Sequence, residues 1–155
     1  DFLRQFPSIR DPRLGLDPPG DPATFRRCIL DWSERERHGE VLALHRDLLR
    51  LRREDPVFRA QDGTRLDGAL LSPHAFLVRF FGEAGDDRLL LVNLGPDLEL
   101  GPVPEPLFAP PAGTRWALRW SSEWPQYGGG GMADPPRDGV WVLPAACAAV
   151  LGAER

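Results

Sequence analysis

The chain contains no lysine: all 19 of its basic side chains are arginine, set against 23 acidic ones. The formal net charge is −4, and no basic arm or one-signed stripe stands out. A nucleic-acid partner is not expected, because phosphate binding needs a clustered positive footprint. Cysteine is nearly absent, with Cys28 and Cys147 far apart in the chain. Two such residues make neither a disulfide framework nor a zinc site; they read as separate thiols in a reducing, cytoplasmic compartment. There is no secretory leader and no apolar run of about 20 residues, so no membrane partner is expected either. The first residue is Asp1 and not methionine, which points to processing or to a piece of something longer.

Proline and glycine are abundant, 17 and 16 of 155 residues. They fall mostly outside one helical segment and punctuate short apolar runs, which fits a loop-rich β architecture better than disorder. Ala75 to Gly82 (AFLVRFFG) alternates, with Phe76, Val78 and Phe80 on one face and Leu77, Arg79 and Phe81 on the other. The run EAGDD turns the chain into a return strand, Arg88 to Gly95. Further strands are expected near 65–71, 98–103, 115–122, 140–145 and 147–152. In the 115–122 strand, Trp116, Leu118 and Trp120 are expected on one inward face. Short strands with turns every eight to twelve residues or so predict an antiparallel sandwich.

Before the strands lies the helical part. Asp21-Pro22 is a good helix start, because the carboxylate can accept from free amides and proline suits the first helical position. Ser33 and Glu36 have the spacing of a capping box. Val41, Leu44, Leu48 and Leu51 form one apolar line that Leu42 and Leu49 widen. A single helix is expected over about 34–53, ended by Glu54-Asp55-Pro56. Such a stripe needs a large partner surface. The expected class is α+β: a helical segment over 1–58, then an all-β domain over 59–155.

Chemistry-bearing constellations are sparse. No acid/base pair stands out: Glu34 and Glu36 point different ways on a helix, and Asp86 and Asp87 read as turn residues. His38 and His45 lack the spacing and third ligand of a metal site, so neither a metal nor a cofactor is expected. The stretch Trp116 to Gly131 (WALRWSSEWPQYGGGG) ends in four glycines. Without a lysine or a following helix these do not make a phosphate cradle, and a tight or mobile loop is expected. Trp124 and Tyr127, with Trp141, are candidate rings for stacking on a sugar. The opposite reading is that they cover the sandwich edge or a neighbouring domain.

Several segments together carry a resemblance. Asp21 to Phe58 (DPATFRRCILDWSERERHGEVLALHRDLLRLRREDPVF) resembles the stretch that closes the catalytic barrel of maltooligosyltrehalose trehalohydrolases, in the α-amylase superfamily (glycoside hydrolase family 13). Trp116 to Gly131 and Val140 to Gly152 resemble the C-terminal β-domain of those enzymes, and Leu89 to Gly95 its central strand. The resemblance implies a parent whose nucleophilic Asp, acid/base Glu and further Asp lie upstream of Asp1, so none is matched here. It implies retaining hydrolysis, without a metal in the chemistry, of the α-1,4 bond beside a terminal trehalose unit. It implies substrate-side roles for Phe2, Phe6, Asp21 and Phe25. Cys28 and Ile29 depart from the polar residues expected there. The implied partners are the missing barrel, a maltooligosaccharide, and a second copy through an uncovered helical face. Against this stands an independent carbohydrate-binding module or a scaffold domain.

Overall fold

In the computed structural model the described residues are 18, 20–136 and 139–155. Phe2 and Phe6, and the apolar turn they would form, lie outside them. The chain divides into two compact units, residues 1–37 and 38–155.

In the first unit, α1 (Pro22–Cys28) starts as its sequence dictates: Asp21 Oδ1 accepts from the amide of Ala23 at 2.8 Å and Pro22 takes the first position. A single turn, α2 (Glu34–Arg37), follows. Its organiser is Asp31 and not the expected Ser33–Glu36 box. The Ser33 hydroxyl donates to Asp31 Oδ1 at 2.7 Å, and Glu36 donates its amide to the backbone oxygen of Ser33. Arg37 pairs with the other oxygen of Asp31 at 2.8 Å. Hydrogen bonding from Ser33 holds the Asp31 carboxyl below the usual carboxylate range.

The second unit opens with α3 (Gly39–Glu54). The single helix expected over 34–53 is interrupted at His38, which has non-helical dihedrals (φ −123°, ψ 46°). The break falls beside Gly39, the position that costs a helix about 1 kcal/mol relative to alanine. Asp55 then does two things. It ends α3 by donating its amide to Leu51 O, and its Oδ1 accepts from the amides of Val57 and Phe58 to start α4 (Pro56–Ala60).

Seven strands follow among the described residues: β1 (Leu66–Ser72), β2 (Ala75–Phe80), β3 (Arg88–Asn93), β4 (Leu98–Leu100), β5 (Arg115–Ser121), β6 (Trp141–Leu143) and β7 (Cys147–Glu154). Five make an antiparallel sheet in the order β1-β2-β3-β7-β5; β4 and β6 make a second, antiparallel pair. The fold is α+β with a two-sheet antiparallel sandwich. Register puts Ala69, Leu77, Leu91 and Ala149 side by side on the face toward β4 and β6, with Leu89 and Leu151 beside them. These close on Leu100, Leu143, Trp116 and Trp141 to form the core. Asn93 joins the sheets. Its amide nitrogen donates to Pro96, Leu143 and Pro144 carbonyls, and its oxygen accepts from Gly95 N.

The opposite face of the large sheet is apolar too, with Phe76, Val78, Phe80, Leu90 and Val92. Phe58 of α4 meets Phe80 edge-on at 5.0 Å between ring centres. Beside them, Arg88 donates Nε to Asp55 Oδ2 at 2.7 Å, the two side chains being only 7% and 13% exposed. Burial opposes the charge on Arg88, but the carboxylates of Asp86 and Asp55 outweigh it and raise its pKa. Removing one member strands a charge in a desolvated site. Arg88→Ala is therefore expected to lower unfolding free energy by about 3–5 kcal/mol. Arg37→Ala, which breaks an exposed pair, should cost far less. Urea denaturation of the two variants checks the contrast; equal small losses would contradict it.

Candidate functional site: an aromatic cluster fastened to the long helix

The aromatic cluster around Trp124 and Tyr127 begins at a bulge. Register between β5 and β7 slips between Leu118 and Trp120. Trp116 and Leu118 stay with the core, as their alternation predicts, but Trp120 is turned onto the other face. All three were expected on one face; the extra residue, Arg119, breaks the alternation. Trp120 is still buried, and its Nε1 donates to the Tyr127 hydroxyl at 3.2 Å. That hydroxyl donates to Asp47 Oδ2 on α3 at 2.6 Å. Asp47 also pairs with Arg50 at 2.8 Å. Trp124 stacks on Tyr127, with ring centres 6.3 Å apart and planes 23° from parallel.

The glycine run makes this possible. Gly128 sits in the left-handed region (φ 85°), which ends the short 3-10 turn carrying Tyr127. A side chain on Gly129 would come within 2.3 Å of the Glu123 backbone. Gly131 N donates to Glu123 O at 2.6 Å. The run is a tight turn, not a cradle.

The Tyr127 hydroxyl bond, with the Arg50 charge and against some desolvation, holds the Asp47 carboxyl below its ordinary range. Burial, followed by the neighbouring Asp47 carboxylate, pushes the Tyr127 phenol up. Asp47 and Trp120 complete the cluster, and sequence reasoning did not place them there. Asp47 looks like one more charge on an arginine-rich helix, and the bulge that redirects Trp120 leaves no signature.

The other candidates go elsewhere. Trp141 is in the core and donates Nε1 to Ala133 O at 3.1 Å. Asp21 caps α1, and Phe25 on α1 is 71% exposed. Many carboxylates are engaged in folding: Asp31, Asp47, Asp55, Asp87 and Asp134 all accept hydrogen bonds. No group of three or more metal-binding side chains occurs among the described residues. Nor is any described helix long and apolar enough to cross a membrane. A cleft of about 540 Å³ runs between α4 and the β1–β2 end, with Val57, Phe58, Leu66 and Phe80 among its lining residues. No residue of α3 is fully buried, and Val41, Leu48 and Leu49 are exposed. Cys28 and Cys147 are both free; burial pushes the Cys147 thiol up to about 11.

Residues 63–151 match the family described as Domain of unknown function (DUF3459). A Malto-oligosyltrehalose trehalohydrolase of Deinococcus radiodurans is 45% identical over 91 residues, which is 54% of this chain and 14% of that protein. One of Arthrobacter ramosus is 56% identical over 52 residues, 29% of this chain and 9% of that protein. One of Brevibacterium helvolum is 47% identical over 51 residues, 28% and 9%. The chain thus spans 9 to 14% of the length of these curated relatives. No solved structure matches.

The Asp47–Tyr127 bond has a pH signature. A depressed carboxyl pKa stabilises the fold fully above the unfolded value, about 3.9, and the gain vanishes as pH falls through the folded value. A raised phenol pKa contributes below about 10 and is lost as pH rises through the folded value. The melting temperature of Tyr127→Phe should therefore lie below wild type by a constant margin from pH 5 to 8. The margin should shrink under stronger acid and in strong alkali. A margin unchanged at pH 3 would contradict the bond.

Proposed function

This chain belongs to the DUF3459 family, and on that premise we propose that it is the non-catalytic C-terminal portion of a glycoside hydrolase of trehalose metabolism. The parent hydrolyses the α-1,4-glucosidic bond next to the terminal trehalose unit of maltooligosyltrehalose and releases trehalose. Its retaining Asp/Glu chemistry lies upstream of Asp1. The observation that carries this reading is the 45% identity over 91 residues to a protein named for that activity.

The geometry accords with it. The helical segment up to Phe58 closes the catalytic barrel, and the β-domain from residue 59 steadies it. The outer leucines of α3 face the barrel. Asp21 and Phe25 are substrate-side residues at the cleft of the parent. Two free thiols suit a cytoplasmic enzyme.

The independent sugar-binding module is the weaker reading. The Tyr127 hydroxyl is committed to Asp47, and Trp141 is in the core. Only Trp124 remains of that platform, half-buried against Tyr127.

Incubating the chain with maltooligosyltrehalose should release no trehalose, and the parent should release it. Turnover by the chain alone would overturn the non-catalytic assignment; an inactive parent would overturn the substrate. Titration with maltooligosaccharides should leave tryptophan fluorescence unchanged. A saturable change lost in Trp124→Ala would favour the module.

A further inference from the structure

The five-stranded sheet has two outer edges, and they are finished differently. On β5, the amide of Leu118 donates to Asp134 Oδ1 at 2.6 Å. The loop carrying Asp134 is itself held by the bond from Trp141 to Ala133. That edge is covered.

The β1 edge is not. The bond from Phe81 N to Arg65 O sets the alternation: Arg65, Asp67 and Ala69 direct their backbone groups at β2. Leu66, Gly68 and Leu70 therefore direct theirs outward. Among the described residues only the Gly68 amide is met, by its own neighbour Asp67 Oδ1 at 2.8 Å. Leu66 is 44% exposed and Leu70 80%. The strand carries neither the proline nor the lysine that commonly blunts an edge.

We propose that β1 is an interaction edge whose partner is the β1 edge of a second copy, paired antiparallel about a two-fold axis at Gly68. The sequence is self-complementary in that register. Leu66 lies opposite the partner's Leu70, so each copy covers the other's exposed leucines. Glycine lies opposite glycine at the axis, and Asp67 opposite the partner's Ala69. Moving the axis one residue, onto Asp67, would oppose two carboxylates, which is unfavourable. The outward amides and carbonyls then pair along the strand. Asp67 acts as a gate: its carboxylate occupies the Gly68 amide in the single chain and swings off before the edges meet.

Sedimentation velocity on the chain across the micromolar range tests this. Wild type should show a monomer–dimer equilibrium. Asp67→Ala frees one amide per copy and should tighten it about tenfold. Leu70→Lys should abolish it, and Leu66→Lys is the second variant if that one misfolds. Leu49→Glu, on the exposed face of α3, should leave it intact. Two results would overturn the proposal: wild type and Asp67→Ala both monomeric throughout, or a dimer that survives the β1 lysines but is lost in Leu49→Glu.

Discussion

One carboxylate sets the geometry of the second unit. Asp55 sits where α3 must stop, because Pro56 follows it. One oxygen caps α4; the other takes the guanidinium of Arg88 from β3. A capped turn is thereby locked to the middle of a sheet through a nearly dry ion pair. Phe58 is then held over Phe80, and the end of α3 is fixed against the strands. The second fastening, Asp47 to Tyr127, lies about two turns earlier on α3. Two carboxylates, one on α3 and one at its cap, thus meet Tyr127 on a 3-10 turn and Arg88 on β3.

The same pairing recurs among other charges of the unit. Arg79 is tied to Asp87 and to two carbonyls of the β4–β5 connection. Asp86 and Asp55 share Arg88. The polar groups inside the unit are matched donor to acceptor, as buried charge requires. Among the large apolar side chains, Val41, Leu48 and Leu49 of α3 and Leu66 and Leu70 of β1 stay exposed.

Much of this was legible in the sequence. Period-two alternation located the strands, and Asp21-Pro22 and Glu54-Asp55-Pro56 marked helix ends, because those signals are local. The break at His38 was not legible, because glycine costs a helix too little to decide the matter alone. Nor was the bulge at Arg119, since alternation assumes one residue per position across the ladder. The aromatic cluster was half visible. Trp124 and Tyr127 read first as cover for the sandwich edge or a neighbour and second as a sugar platform; the bond from Tyr127 to Asp47 was not foreseen. That contact spans 80 residues, beyond the reach of any local pattern.

The central claim is that α3 is held to the β-domain by the Asp55–Arg88 and Asp47–Tyr127 pairs, not by burial of its leucine stripe. Amide hydrogen exchange read helix by helix tests it most directly. Wild type should protect α3 together with β2, β3 and β7. A Tyr127→Phe, Arg88→Ala double variant should lose protection across α3 while those strands keep theirs for longer. Unchanged α3 protection in that variant would show that the leucines alone hold the helix, and would contradict the account.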